Sequence, residues 1–184
     1  MINSIKIIIT LLALFTIASC GNDTQNKLSP EQLKVQELES KIMELSKGEY
    51  SVKEMDSSRV ELIEALNTLY EADISDSVSA QTLDKMQLAY SAMHDYVNAA
   101  HISDTLINNY PDYPNRELVL ESQANNYDMF IIPRRKDKVK YYLELLLKEY
   151  PDMSAERREG FEFRLKNVDL TMEELIMKQS EASE

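Results

Sequence analysis

The chain has 184 residues, a formal net charge of -12, one cysteine, no tryptophan, three glycines and five prolines. The acidity argues against nucleic-acid binding, because neutralising phosphates requires a basic surface. A single cysteine provides neither an intrachain disulfide nor a thiolate metal cluster. Few glycines and prolines among many Leu, Glu, Lys, Met and Ala residues favour an all-α fold with about one domain.

The N-terminus has the pattern of a targeting segment. Lys6 is the only charged residue before an apolar run, 7–17, that is too short to be a transmembrane helix. Small residues then precede Cys20. This pattern resembles the lipobox of bacterial lipoproteins, which implies that 1–19 is a signal peptide and that Cys20 carries a covalent lipid. An ordinary secretory signal with an incidental cysteine and an uncleaved anchor are the alternatives.

The segment after Cys20 predicts a short tether. Gly21 follows the cysteine, where an aspartate would favour retention at the inner membrane, so the resemblance implies an outer-membrane lipoprotein that faces the periplasm. Surface exposure is the open alternative. The predicted tether is 20–28; residues 21–28 are polar and lack periodicity, and these eight residues reach at most about 28 Å when extended. The folded part is therefore expected to stay close to the membrane.

Two helices are predicted next. Ser29, Pro30 and Gln32 form a helix start with a capping box, and the helix should run to about residue 46. A loop is predicted over 47–57, and a second helix from about 58 to 72. The apolar residues that should face inward are Leu33, Val35, Leu38, Ile42 and Leu45 in the first helix, and Val60, Ile63, Leu66 and Leu69 in the second.

The stretch from Leu83 to Pro114 predicts a helical hairpin. Its first helix has apolar residues at three- and four-residue steps, and His94-Asp95 interrupts this pattern. Small residues in the second helix allow close approach, and Pro111 ends that helix. The order Tyr90, Asp95-Tyr96, Ala99, Leu106 and Pro111 resembles a tetratricopeptide repeat, whereas Gln87, His94 and Ser103 depart from that family's pattern. His94 stands where the family often has glycine.

Later residues repeat the hairpin. Asn115 is a candidate cap for a helix to about Phe130, and further helices are predicted over about 136–150 and 153–167. A capping box begins a last helix at Thr171, and 178–184 is predicted to be a frayed, disordered tail. The period is 40 residues, longer than the family's usual value of about 34. It relates Leu66 to Leu106 and Leu146, and Tyr70 to Tyr110 and Tyr150.

These patterns predict an all-α, α-α superhelix over 29–177. Its parts would be about three hairpins similar to tetratricopeptide repeats and C-terminal capping helices. The layout resembles small bacterial lipoproteins that carry such repeats, which implies a scaffold.

The resemblance also assigns a partner-binding groove. Its mildly acidic, partly apolar character favours a protein or peptide segment with apolar and basic character, and merely solvated side chains are the alternative. The groove positions are Gln81, Asp84, Leu88, Ser91 and Ala92 in the middle hairpin, and Leu118, Glu121, Asn125, Asp128 and Met129 in the last one.

Few residues suggest chemistry. His94 and His101 lie seven positions apart rather than at the i, i+4 spacing that brings two histidines to one metal ion. Neighbouring Glu173 and Glu174 point apart along a helix, and three glycines hardly permit a phosphate loop. We therefore expect no enzymatic activity, no metal and no cofactor beyond the lipid. The basic run Arg134-Arg135-Lys136, with Lys138 and Lys140, is either a solvated turn or a contact with anionic lipid or an acidic partner.

The leading hypothesis is a lipid-anchored cell-envelope scaffold that mediates protein–protein interactions. One alternative is a subunit of an outer-membrane protein assembly or envelope-maintenance complex, similar to the tetratricopeptide lipoprotein of the β-barrel assembly machinery. Loss of the gene would then lower porin levels in the outer membrane. The other alternative is a hydrolase that uses surface carboxylates, which a peptidase and glycosidase screen would reveal.

Overall fold

The structure is a computed structural model that describes residues 27–48 and 50–181. The predicted signal peptide, Cys20 and most of the predicted tether lie outside the described residues. The described part contains eight α-helices, one π-helical segment and no strand, which confirms the all-α prediction. The helices are α1 Pro30–Lys47, α2 Val52–Glu71, α3 Asp76–Ala92, α4 Tyr96–Asn109, α5 Arg116–Asn125, α6 Lys136–Glu149, α7 Ala155–Lys166 and α8 Met172–Glu181; the π-helical segment Asn126–Phe130 continues α5.

Capping boxes define where several helices begin. Ser29 and Gln32 form the predicted box at α1, and each side chain bonds the other residue's backbone N–H. A second box, formed by Ser51 and Glu54, begins α2 at Val52. The predicted loop over 47–57 is therefore wrong in its second half, because this S-x-x-E pattern satisfies the free backbone donors of the first turn.

The other predicted helix ends have mixed outcomes. Thr171 and Glu174 form the expected box before α8. Asn115 occupies the predicted N-cap position of α5, but its side chain makes no capping hydrogen bond. Its amide instead donates to the hydroxyl of Tyr113 at 3.4 Å. Helix α8 continues to Glu181, past the start of the predicted tail at 178.

The helices pack as successive hairpins. Helix α1 packs on α2, α3 on α4, α5 on α6, and α2 also packs on α3. This order is compatible with an α-α superhelix. The 40-residue period appears in the helix bounds: α3 and α5 begin at Asp76 and Arg116, and α4 and α6 end at Asn109 and Glu149. The repeated leucines Leu66, Leu106 and Leu146 are all fully buried in the core.

Two residues predicted to face inward are exposed, Val60 at 43% and Leu33 at 51%. The helical period explains Val60, since it lies five residues from buried Met55 and hence about 140° around the helix axis. In the same way, Leu33 points away from buried Val35. The buried residues shared among the hairpins are Val35, Leu38, Leu62, Leu66, Leu69, Ala80, Leu83, Met86, Leu106, Ile107, Val119, Leu120, Ala124, Val139, Tyr142, Leu143 and Leu146.

The turn between α3 and α4 contains His94, one of the residues that depart from the repeat pattern. His94 has a φ of 59°, in the left-handed region that glycine adopts at little cost. Its Nδ1 lies 3.0 Å from the hydroxyl of Tyr96. The position therefore has a backbone geometry that favours glycine, although the residue here is histidine.

A polar network fixes the last hairpin against α4. The carboxylate of Asp104 accepts from the Nε2 of Gln123 at 2.6 Å and from the hydroxyl of Tyr142. Gln123 is fully buried and also donates to the carbonyl of Ala100 at 2.8 Å. Burial and the Asp104 hydrogen bond raise the pKa of Tyr142. These bonds join α4 to both α5 and α6.

Candidate functional site

A cavity of about 640 Å³ lies between the first turns of α3 and the segment that joins α4 to α5. We call it the α3 cleft. Ser75 caps α3 by accepting from the backbone N–H of Val78, and Pro111 prevents α4 from continuing into the connection. The cleft is lined by Asp76, Ser77, Ala80, Gln81, Asn109, Tyr110, Pro111, Asp112, Tyr113, Pro114 and Asn115.

Tyr113, one of the two tyrosines in the cleft, is held by the predicted groove residue Asp84. The hydroxyl of Tyr113 donates to Asp84 Oδ2 at 2.6 Å, and Nε2 of Gln87 donates to Asp84 Oδ1 at 3.0 Å. Burial, together with the hydrogen bond to Asp84, raises the pKa of Tyr113 to about 12. Asp84 therefore orients the Tyr113 ring, and its carboxylate already has partners within the chain.

Two other carboxylates at the cleft have no such partner. Asp76 is the first residue of α3, and Asp112 lies in the turn after α4. Within residues 27–48 and 50–181, neither side chain takes part in a hydrogen bond or an ion pair. The α3 cleft thus combines an aromatic and proline wall with two uncompensated negative charges.

One repeat later, the equivalent positions are sealed by arginine. We call this region the α5 junction: Arg116, Glu117, Glu121, Glu149 and Arg157. Nε and Nη2 of Arg116 donate to Glu149 at 2.7 and 3.1 Å, and its Nη1 donates to the carbonyl of Ile107. Arg157 from α7 binds both Glu117 and Glu121. The carboxylates of the α5 junction are therefore neutralised within the chain.

A further arginine cluster surrounds Asp128. This carboxylate is 4% exposed and binds Arg134 at 2.7 Å and Arg164 at 2.5 Å. Burial alone would raise the pKa of Asp128, but hydrogen bonds from Arg164 and Arg134 outweigh burial and hold it below its usual range. Arg134 also donates to the carbonyl of Val168 at 2.8 Å. These contacts attach α7 and the segment before α8 to the end of α5.

A second cavity, of about 760 Å³, lies beside this cluster and is bounded by α5, α7 and α8. We call it the C-terminal cavity. Its lining includes the predicted groove residues Glu121, Asn125, Asp128 and Met129. Two of the three carboxyl or amide groups among them, on Glu121 and Asp128, already bind arginines of α7.

The structure thus divides the predicted groove residues between two places. Gln81 lines the α3 cleft, and Asp84 supports it, whereas Glu121, Asn125 and Asp128 line the C-terminal cavity. Leu88 and Leu118 are 56% and 62% exposed. Ala92 is exposed and Ser91 is half-buried, and neither lines one of these two cavities.

The basic run is largely paired within the chain. Besides Arg134, which is half-buried, Arg135 binds Asp137 at 2.8 Å and Lys136 binds Asp169 at 2.8 Å. Both of these pairs are exposed, and exposed pairs have small energies. In the part of the chain that the structure describes, no group of three His, Cys, Asp or Glu side chains could hold a metal ion.

The sequence interpretation did not identify Asp76, Tyr110, Asp112 or Tyr113 as site residues. The 40-residue period contained a usable signal, because Asp76 aligns with Arg116 and Asn109 aligns with Glu149. A position that changes from arginine to aspartate between repeats loses its salt bridge. Comparing charges between repeats would therefore have identified this cleft.

No family model, no curated protein and no solved structure matches the chain. Among residues 27–181 apart from Glu49, no helix is long and apolar enough to cross a bilayer.

Proposed function

We propose that the protein is a lipid-anchored scaffold of the cell envelope, which binds a segment of a partner protein in the α3 cleft. The observation that carries this proposal is the open cavity of about 640 Å³ between the first turns of α3 and the segment that joins α4 to α5. Mostly apolar concave surfaces with a few polar groups are the usual form of a binding site. The cleft has this character, since its tyrosine and proline residues surround Asp76 and Asp112.

Two features of the sequence support the envelope location and the scaffold role. The lipobox-like residues before Cys20 favour attachment to a membrane. The hairpins have a 40-residue period that resembles tetratricopeptide repeats, and stacked helical repeats form extended binding surfaces. Outer-membrane location and a periplasmic orientation belong to the same proposal.

Site-specific photo-crosslinking in cells tests the scaffold role. A photoreactive amino acid replaces Gln81, which is exposed and lines the α3 cleft, in the full chain at native expression. The matched control replaces His101, an exposed residue of α4 that lies outside the cleft lining. A discrete adduct from position 81 that is missing from position 101 supports the proposal. No adduct at 81, or identical adducts at both positions, contradicts it.

The membrane anchor has its own test. Cys20→Ala should release the protein into the soluble fraction or leave its precursor uncleaved. Fractionation and the mobility of the processed chain measure this result. Unchanged processing and membrane association would refute lipidation at Cys20, and the crosslinking result would then decide the binding role alone.

A further inference from the structure

The α3 cleft and the α5 junction differ in charge at equivalent positions. The first residue of α3 is Asp76, whereas the first residue of α5 is Arg116. The last residue of α4 is Asn109, whereas the last residue of α6 is Glu149, the partner of Arg116. The sealed region therefore contains an arginine–glutamate pair that the open cleft lacks.

We propose that the α3 cleft binds an arginine side chain of the partner segment, with Asp76 and Asp112 as the carboxylates that its guanidinium contacts. This inference rests on the proposed function and names the chemistry of its partner. The methylene stem of the arginine would pack on the rings of Tyr110 and Tyr113. Because the Tyr113 hydroxyl already donates to Asp84, that residue presents its ring rather than its hydroxyl to a ligand.

Arginine suits the cleft better than lysine for two physical reasons. Its planar fork of donors can serve two carboxylate groups, and its guanidinium stacks on aromatic rings. Its guanidinium is also more weakly hydrated than an ammonium group, so it loses less hydration free energy on entering a tyrosine-lined cavity. An anionic ligand is disfavoured, because Asp76 and Asp112 would repel it.

The partner is a different protein rather than a second copy of this chain. All seven arginines of the sequence already contact a carboxylate of their own chain, so a second copy would have to break one of its own ion pairs to place an arginine in the cleft. The chain also has a formal net charge of -12, which disfavours self-association and favours a basic partner.

A peptide titration tests the preference for arginine. Full-length protein in detergent is titrated into Ala-Leu-Arg-Leu-Ala-amide that carries fluorescein on its N-terminus, or into the same peptide with citrulline, which is neutral and nearly isosteric, in place of arginine. Fluorescence anisotropy reports binding. We expect the arginine peptide to bind at least about tenfold more tightly, and added salt to weaken it. Equal binding of the two peptides, or no binding of either, overturns the inference.

Variants of the cleft locate the binding. Asp76→Asn and Asp112→Asn should each lower the affinity for the arginine peptide by about tenfold or more, because each removes one charged contact. The matched control is Asp152→Asn, which changes the exposed counterpart of Asp112 one repeat later and should leave affinity unchanged. Unchanged affinity in both cleft variants overturns the inference.

A double variant should close the cleft by filling it with two larger side chains that pair with each other. Asp76→Arg with Asn109→Glu recreates the pair that Arg116 and Glu149 form one repeat later. It should fold with an unaltered circular dichroism spectrum. It should no longer bind the arginine peptide, and the crosslink from position 81 should disappear. A folded double variant that still binds the peptide overturns the inference.

The two proposals can fail separately. A crosslink at position 81 that persists in Asp76→Asn and Asp112→Asn, together with equal binding of the arginine and citrulline peptides, removes the arginine specificity and leaves the scaffold role. Absence of any crosslink at position 81 removes the scaffold role itself.

Discussion

The α3 cleft and the α5 junction occupy equivalent places in consecutive repeats, but one is open and the other is sealed. At the α5 junction, Arg116 is buried at 8% exposure and binds Glu149 through two nitrogens. At the α3 cleft, the equivalent residues Asp76 and Asn109 lie on either side of a cavity of about 640 Å³. The backbone repeats, whereas the side-chain charges do not.

This difference indicates where a repeat protein can bind a partner. Residues that stack the hairpins, such as Leu66, Leu106 and Leu146, remain the same at each repeat because the core requires them. The charged residues between the hairpins are free to change. A position where the chain omits its own arginine leaves carboxylates that another molecule can satisfy.

The largest expected effect is at Asp128, whose arginine pairs attach α7 to the end of α5 beside the α5 junction. Asp128→Ala removes the buried carboxylate that pairs with the half-buried Arg134 and Arg164, and breaking a buried charge pair costs about 3–5 kcal/mol. Urea denaturation measures the change in unfolding free energy. The control is Asp137→Ala, whose exposed pair with Arg135 should contribute little. Similar stability losses in both variants would mean that the Asp128 cluster does not stabilise the fold.

The second-largest expected effect is a loss of stability at the first residue of α5, which is compared with the equivalent residue of α3. Arg116→Ala removes the bidentate contact with Glu149 and the bond to Ile107, and should lower the unfolding free energy by about 2 kcal/mol. Asp76→Ala, at the equivalent position, should change stability much less because it removes no bond. Thermal and urea unfolding of both variants measure the difference. Equal effects would contradict the contrast between the sealed and open regions.

Lowering the pH should weaken the Asp128 cluster. The pKa of Asp128 is held below its usual range, so its contribution to stability is present above about pH 4, the unfolded value, and is lost as pH falls through the lower folded value. Wild type and Asp128→Asn should therefore differ most at neutral pH and converge in acid. Urea unfolding at several pH values measures this gap. A gap that stays constant down to about pH 2 would contradict the ionised state of Asp128.

The smallest expected effect is the stability gained by closing the open side. Asp76→Arg with Asn109→Glu should raise the unfolding free energy by about 1 kcal/mol, because an arginine–glutamate pair forms where the cavity now lies. Each single substitution serves as a control, since neither creates the pair. A double variant no more stable than the better single variant would show that the two positions do not meet.

Helix type and spacing could be predicted from the sequence, because apolar periodicity and capping boxes are local signals. The boxes at Ser29 and Thr171 and the repeated leucines are confirmed. The apolar pattern places the start of α2 too late, because the box at Ser51 lies among polar residues.

The candidate site was harder to predict, because it depends on contacts between distant residues. The sequence interpretation located a groove at Gln81 and Asp84, close to the cleft. It could not show that Asp128 binds Arg164, which lies 36 residues away along the chain. Nor could periodicity show which carboxylates lack partners, because that requires the positions of all arginines in three dimensions.

The start of α1 lies close to the α3 cleft, which limits how far the cleft can lie from a membrane anchor at Cys20. Leu28, the last residue of the predicted tether, and Gln81 line the same small cavity, and Gln81 also lines the α3 cleft. With Cys20 lipidated, the tether reaches at most about 28 Å, so the cleft would scan only a thin layer next to the bilayer. Encounter would then occur by two-dimensional diffusion along the membrane. The partner's arginine should accordingly lie in a segment that is itself close to the membrane surface.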